Sequence, residues 1–193
     1  MIALLLAAAV VPPVEQTERA FASMAQAKGQ WTAFRAFAAP DAQMLLDGPQ
    51  PAARFLKGRK DPPAAMMWQP THTITSCDGS LAFSTGPTRR RDNLSAGRYL
   101  TIWRHSPAGW RWIFDAGSSD IVSAPENGRV DAVRATCGRS LPPRLRSQHM
   151  QADGASRDKT LRWKIGSLDD RHFVLTLTYS AGKGWKTENL EIE

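Results

Sequence analysis

The chain has 193 residues, 42% of them hydrophobic, with seven tryptophans and a net charge of +7. That length holds one domain with a sizeable core, or one domain and an appendage, and the composition excludes a disordered chain. The positive charge is spread out, with one dense run at Arg89-Arg90-Arg91 and a looser one at Arg134, Arg139, Arg144 and Arg146. No aromatics are interleaved with these runs, so they read as solvated faces rather than a nucleic-acid surface.

The chain opens on an apolar run, Ile2 to Val11, followed by Pro12-Pro13. It is too short to span a bilayer, and Ala7-Ala8-Ala9 offers a small-residue cleavage pattern. Residues 1–13 therefore read as a signal peptide for export, to the periplasm in a bacterial cell. The run lacks the usual basic start, and the alternative is a buried N-terminal helix or strand. Export would place Cys77 and Cys137 in an oxidising compartment, where they are expected to pair; otherwise they are two buried free thiols. No CxxC spacing or third ligand beside His72 or His105 suggests a metal, and no motif asks for a cofactor.

After the prolines, VEQTERAFASMAQAKGQ predicts a helix with acids in its first turns and Gly29 as its stop. A shorter helix is expected over 30–38, with Trp31, Phe34 and Phe37 on one stripe and Pro40-Asp41 ending it. AQMLLDG reads as a strand flanked by Asp41 and Asp47, and PQPAARFLKG as a third helix. From His72 the period changes to two, and DGS marks a tight turn into LAFSTGP. The polar loop TRRRDNLSA then leads to a hairpin, GRYLTIWRHSPAGWRWIFDAG. Simple alternation puts Tyr99, Thr101, Trp103 and His105 on one face of its first arm. In the second arm it sets Trp110, Trp112 and Phe114 opposite Arg111, Ile113 and Asp115.

Helices first and a strand meander afterwards predict an α+β fold, with helices packed on a curved antiparallel sheet. Residues 14–119 form this domain, 120–157 read as an irregular linker, and 158–193 as a three-stranded β extension. The extension echoes the meander: DGSLAFSTG and DKTLRWKIG share D-x-S/T-L-x-aromatic-x-x-G. LTIWRHSPAGWR and LTLTYSAGKGWK likewise both run Leu-Thr to Gly-Trp-basic. The offsets of the two pairs, 80 and 75, differ by a loop's length. Duplication would explain this, and so would convergence of hairpins on a common pattern.

The helical start, Trp68-Gln69-Pro70, DGSLAFSTGP, GRYLTIWR and GWRWIFDAG, in this order, resemble the nuclear transport factor 2-like superfamily. The likeness is to its SnoaL-like, ketosteroid-isomerase-like branch, and within that to exported members of unknown function. It covers roughly Val14 to Gly117. It implies a cone, in which a bent sheet wraps the helices and leaves a pocket at its wide end. The family hosts isomerases, cyclases, dehydratases and peptide binders, so the fold does not choose a reaction. A steroid-isomerase-like site would need a carboxylate base with a tyrosine and a protonated acid as oxyanion donors. This chain has only Tyr99 and Tyr179, and Tyr99 comes well after the helices, so that motif is not completed.

The expected site is a pocket lined by Trp68, Tyr99, Trp103, Trp112 and Asp115. The first reading is a non-catalytic binder of a small apolar molecule or a peptide, able to pair with a second copy through its sheet. The second is an isomerase or dehydratase with Asp115, Asp47 or Asp41 as general base. A third is an interaction module with a filled cone. An open cavity with a buried carboxylate would favour the enzyme, and a wholly apolar one the binder.

Overall fold

The computed structural model describes residues 12–90, 96–123, 128–138, 141, 150–169 and 171–192. The apolar run expected to be a signal peptide, Arg91, and Arg139, Arg144 and Arg146 lie outside them. Helix α1 (Val14–Lys28) follows Pro13 and buries Val14, Glu18, Phe21 and Ala25 on one stripe. It stops at Gly29, whose φ of 107° suits glycine and whose N–H bonds Ala25 O at 3.0 Å. Helix α2 (Gln30–Phe37) starts at once. Asp61 caps it from a distance, accepting Thr32 N at 3.0 Å and Thr32 Oγ1 at 2.6 Å.

Strand β1 (Ala38–Leu45) begins directly after α2. The sequence placed the helix end at Pro40-Asp41; both residues lie inside β1 instead. Proline is tolerated there because the pairing of β1 slips between Ala38 and Gln43. Next come β2 (Pro49–Pro51), α3 (Ala52–Leu56), β3 (Met67–Trp68) and β4 (His72–Thr75). The long strands β5 (Leu81–Arg89), β6 (Ala96–Ser106) and β7 (Gly109–Ser118) complete the meander. The stretch read as irregular contributes β8 (Asp131–Arg134) and β9 (Met150–Ala155). Finally, β10 (Leu161–Ser167), β11 (Phe173–Ala181) and β12 (Gly184–Ile192) follow. The C-terminal unit therefore has four strands, one more than the sequence suggested.

The first sheet runs β2-β1-β7-β6-β5-β4-β8, with β3 beside β5; β1 joins β7, and β8 joins β4, in parallel. The second sheet, β12-β11-β10-β9, is antiparallel throughout. This is the α+β architecture expected, and its sheet is covered on both faces. The inner face packs on the helices through Phe21, Phe34, Trp103 and Trp112. The outer face packs Ile74, Phe83, Leu100, Ile102 and Phe114 on Trp163, Ile165, Leu175 and Leu177 of the second sheet. Burial on both sides explains why both faces of the hairpin carry apolar residues.

One irregularity changes the reading of that hairpin. Ile102 pairs with Phe114 but Trp103 pairs with Trp112, which leaves Ile113 as a bulge. An extra residue in one strand reverses the faces of everything after it. Trp110 and Trp112 therefore face the helices, Phe114 turns to the outer core, and Asp115 joins Thr101 on the inner face. Simple alternation had put Phe114 with the tryptophans and Asp115 opposite them.

Cys77 and Cys137 are joined in a disulfide, Cα atoms 5.1 Å apart across a separation of 60 residues. A closed loop of that size stabilises the fold by about 4 kcal/mol in the chain-entropy account. Among the described residues no helix is long and apolar enough to cross a membrane.

Candidate functional site

The inner face of β5, β6 and β7 is built in rows. Ala82, Trp103 and Trp112 lie side by side; Ser84, Thr101 and Asp115 form the next row; Gly86, Tyr99 and Gly117 form the third. The first row is floor. Trp103 meets Phe21 and Phe37 edge-on at 5.9 and 6.4 Å, and Trp112 meets Phe34 at 5.8 Å. Trp112 Nε1 donates to Phe34 O at 3.1 Å, which satisfies its polar edge in the core.

The second row is polar and buried. Thr101 Oγ1 donates to Asp115 Oδ2 at 2.8 Å. Ser84 Oγ donates to Glu18 Oε2, and Trp103 Nε1 donates to the same oxygen at 3.0 Å. Trp68 Nε1 donates to Glu18 Oε1 at 2.8 Å, so one acid of α1 holds two tryptophans and a serine. Burial pushes Glu18 up to about 7, against the pull of these three hydrogen bonds. Burial likewise pushes Asp115 up to about 8; its bond from Thr101 opposes the shift and the negative charge of Glu18 adds to it.

The third row opens a space. Tyr99 lies between Gly86 and Gly117, and on the Gly117 side no side chain fills the level beside it. Gly86 is required, because a Cβ there would stand 2.0 Å from Gln69 O in the link between β3 and β4. At Gly117 a Cβ would meet nothing within 4 Å. Burial, and then the charge of Glu18, hold the Tyr99 hydroxyl well above its usual value. That hydroxyl makes no well-formed hydrogen bond among the described residues, although Ser84 is near enough to favour its ionised form slightly.

Above these rows lies a cavity of about 340 Å³. Trp31, Phe34, Met44, Phe55, Met66 and Trp68 form apolar walls, and Tyr99, Thr101 and Asp115 supply polar groups from the sheet. Of the residues expected at the pocket, Trp68, Tyr99 and Asp115 line it, whereas Trp103 and Trp112 lie outside its lining as fully buried core. Asp41 and Asp47, the other candidate bases, are exposed and lie outside the cavity. Asp41 is held below the usual carboxylate range by the Arg104 guanidinium, with which it forms paired hydrogen bonds.

Sequence reading missed Glu18, taking it for a first-turn acid that complements the helix dipole. The signal was present: Glu18 lies four residues after Val14 and three before Phe21, on the stripe that must be buried. A more polar recess of about 410 Å³ lies between the sheets. Its Arg104 and Arg157 already face Asp41 and Asp78, so no unmet charge marks it as a site. Where the first sheet meets the second, His72 of β4 stands between Asp131 of β8 and Glu188 of β12 at 3.1 and 3.2 Å. Tyr179 Oη donates to Glu188 at 2.8 Å. No group of three or more metal-ligating side chains is present among the described residues.

No family model matches this sequence, and no curated protein matches it. Among solved structures the fold is similar to a "putative aromatic ring hydroxylase" from Novosphingobium aromaticivorans. The two share 18% identity over 57% of this chain and 87% of that one, with a TM-score of 0.40. It is also similar to an NTF2-like protein of unknown function from Pseudomonas putida KT2440. There the identity is 14% over 61% of this chain and 92% of that one, with a TM-score of 0.37.

Proposed function

We propose that the inner cavity binds a small, largely apolar molecule carrying one carbonyl or hydroxyl head. The observation that supports this most is the composition of the cavity wall: aromatic and aliphatic on the helix side, with Asp115, Thr101 and Tyr99 grouped on the sheet side. About 340 Å³ suits a molecule of one or two fused rings. With its carboxyl raised to about 8, Asp115 is mostly protonated at neutral pH and donates a hydrogen bond to a ligand oxygen. The Tyr99 hydroxyl, lacking a strong internal partner, is a second donor.

A second reading is proton transfer on the same ligand, favoured by one specific feature. Asp115 lies in a cavity that is not wholly apolar, and a carboxyl poised near neutral pH either gives or takes a proton. Under that reading Asp115 is the acid or base and Tyr99 the donor to the developing oxyanion. Asp41 and Asp47 have no part in it. Export to an oxidising compartment belongs to the same proposal, supported by the apolar N-terminal run and by the Cys77–Cys137 bond.

The test is a titration of the purified protein with a bicyclic aromatic ketone, followed by tryptophan fluorescence and native mass spectrometry. Saturable one-to-one binding that is lost in Gly117→Leu, a change that projects into the cavity, is the expected result. Binding that survives Gly117→Leu, or no binding across a panel of such ketones and alcohols, would overturn the proposal. Turnover of the ketone that vanishes in Asp115→Asn while binding persists would select the proton-transfer reading.

A further inference from the structure

We infer that β4–β7 and β9–β12 are two copies of one four-stranded unit packed face to face. On this inference the second copy occupies, within one chain, the surface on which a second molecule would otherwise pair. It stands independently of what the inner cavity binds.

The registers carry the inference. In the first copy Thr75 pairs with Ala82, Leu81 with Arg104 and Ser106 with Gly109. In the second, Ala155 pairs with Arg162, Leu161 with Tyr179 and Ala181 with Gly184. The first relation is displaced by 80 residues on both strands, from Thr75 to Ala155 and from Ala82 to Arg162. The last is displaced by 75, from Ser106 to Ala181 and from Gly109 to Gly184. The five-residue difference falls in the loop between the second and third strands of the unit, so one shortened loop explains both offsets. Convergent hairpins would share a turn; they would have no reason to share the register at all three strand junctions, which the copies keep up to the bulge at Ile113.

The turns that open the two copies match bond for bond. Ser76 Oγ donates to Asp78 Oδ1 at 2.7 Å, and Ser156 Oγ to Asp158 Oδ1 at 2.6 Å. Leu81 N reaches Ser76 Oγ, and Leu161 N reaches Ser156 Oγ, both at 3.1 Å. Gly79 has a φ of 67°, and Lys159, in the same place, a φ of 59°. Lys159 is the one non-glycine with positive φ among the described residues. The backbone of the turn has therefore outlived the glycine that suits it.

The two turns also clasp each other reciprocally. Asp78 N donates to Asp158 Oδ2 at 2.9 Å, and Asp158 N to Asp78 Oδ2 at 3.2 Å. Cys77 N donates to Thr160 Oγ1 at 2.9 Å, and Arg157 N to Ser80 Oγ at 3.0 Å. Each bond maps onto its counterpart when the copies are exchanged, which is the signature of a two-fold, isologous contact. The core behind the clasp joins Phe83 and Ile102 to Trp163 and Leu177, which occupy the corresponding positions.

What differs between the copies also fits. Trp110 is buried, its Nε1 donating to Pro12 O at 2.8 Å just before α1; Trp185, its counterpart, is 45% exposed. The bulge at Ile113 occurs in the copy that carries the cavity, and β11 pairs with β12 without a break. The second copy has kept the surface that pairs and lost the features that make a pocket.

The test uses the full chain. Sedimentation equilibrium from micromolar to submillimolar concentration is expected to give a single-chain mass throughout; a dimer would overturn the replacement of a partner in cis. A thermal double-mutant cycle on Asp78→Ala and Asp158→Ala examines the clasp. Both singles should lower Tm, and the double should lower it by less than their sum. Full additivity, or no effect from either change, would overturn the reciprocal contact. Should a variant fail to fold, hydrogen exchange on the unaltered protein decides the matter. Slow, matched exchange at the Asp78 and Asp158 amides is expected, and fast exchange at either overturns it.

Discussion

Thr101 and Asp115 face each other across β6 and β7, with Thr101 Oγ1 donating to Asp115 Oδ2 at 2.8 Å inside the wall of the inner cavity. That bond favours the charged carboxylate, whereas burial and the charge of Glu18 oppose it. Thr101→Val should therefore raise the Asp115 pKa further above about 8, and Glu18→Gln should lower it. Infrared detection of the protonated carboxyl across a pH titration checks both signs. A shift in the opposite direction in either variant would contradict this account of the site.

The same shift makes stability depend on pH. Between the ordinary value of 3.8 and about 8, folded Asp115 keeps a proton that the unfolded chain releases. Glu18 does the same between 4.5 and about 7. At these two sites the native state binds more protons, so their contribution to stability is fullest below pH 4, falls as pH rises through this window, and levels off above it. Asp115→Asn should flatten that fall and gain most over the parent protein above pH 8. Each unit of displacement corresponds to roughly 1.4 kcal/mol at most. Denaturant melts at a series of pH values measure it.

Glu18→Ala strands the indole N–H of Trp68 and the Ser84 hydroxyl, and leaves the Trp103 N–H with only its bond to Ser84 Oγ at 3.0 Å. An unsatisfied buried donor costs about 1–3 kcal/mol, so the variant should lose several kcal/mol of stability or fail to fold. A loss below about 1 kcal/mol by urea titration, within the range of a neutral surface change, would show that the three bonds are not structural.

Two glycines of the third row should respond in opposite ways. Gly86→Ala forces a methyl group into Gln69 O and should destabilise the fold markedly. Gly117→Leu enters open space and should leave Tm nearly unchanged while emptying the cavity of ligand. Thermal melts and ligand titrations on the pair check this contrast.

Thiol titration of the unfolded, unreduced protein should find no free thiol, because Cys77 and Cys137 are bonded. Replacing both by alanine should cost up to about 4 kcal/mol, the value expected for closing a loop of 60 residues.

Much of the fold was legible in the chain. Val14, Phe21 and Ala25 recur at helical spacing, β4 to β7 alternate with period two, and turn residues separate them. The echo between DGSLAFSTG and DKTLRWKIG was visible as well, although local pattern could not tell duplication from convergence. Periodicity reports which side of an element is apolar, and little more.

What it could not decide were the features set by partners distant in sequence. Ile113 bulges where β7 pairs with β6 on one side and β1 on the other, and that one residue carries Asp115 onto the cavity face. Glu18 became a core acid because Trp68, Ser84 and Trp103, between 50 and 85 residues away, bring their donors to it. Trp103 and Trp112 became floor and Trp68 wall because the helices cover one row of the sheet and leave the next open. The sequence by itself determined the helices, the strands of the meander and the repeated turn motif. Tertiary packing decided which polar groups are desolvated together, because desolvation depends on what lies on every side of a group and not on its neighbours in the chain.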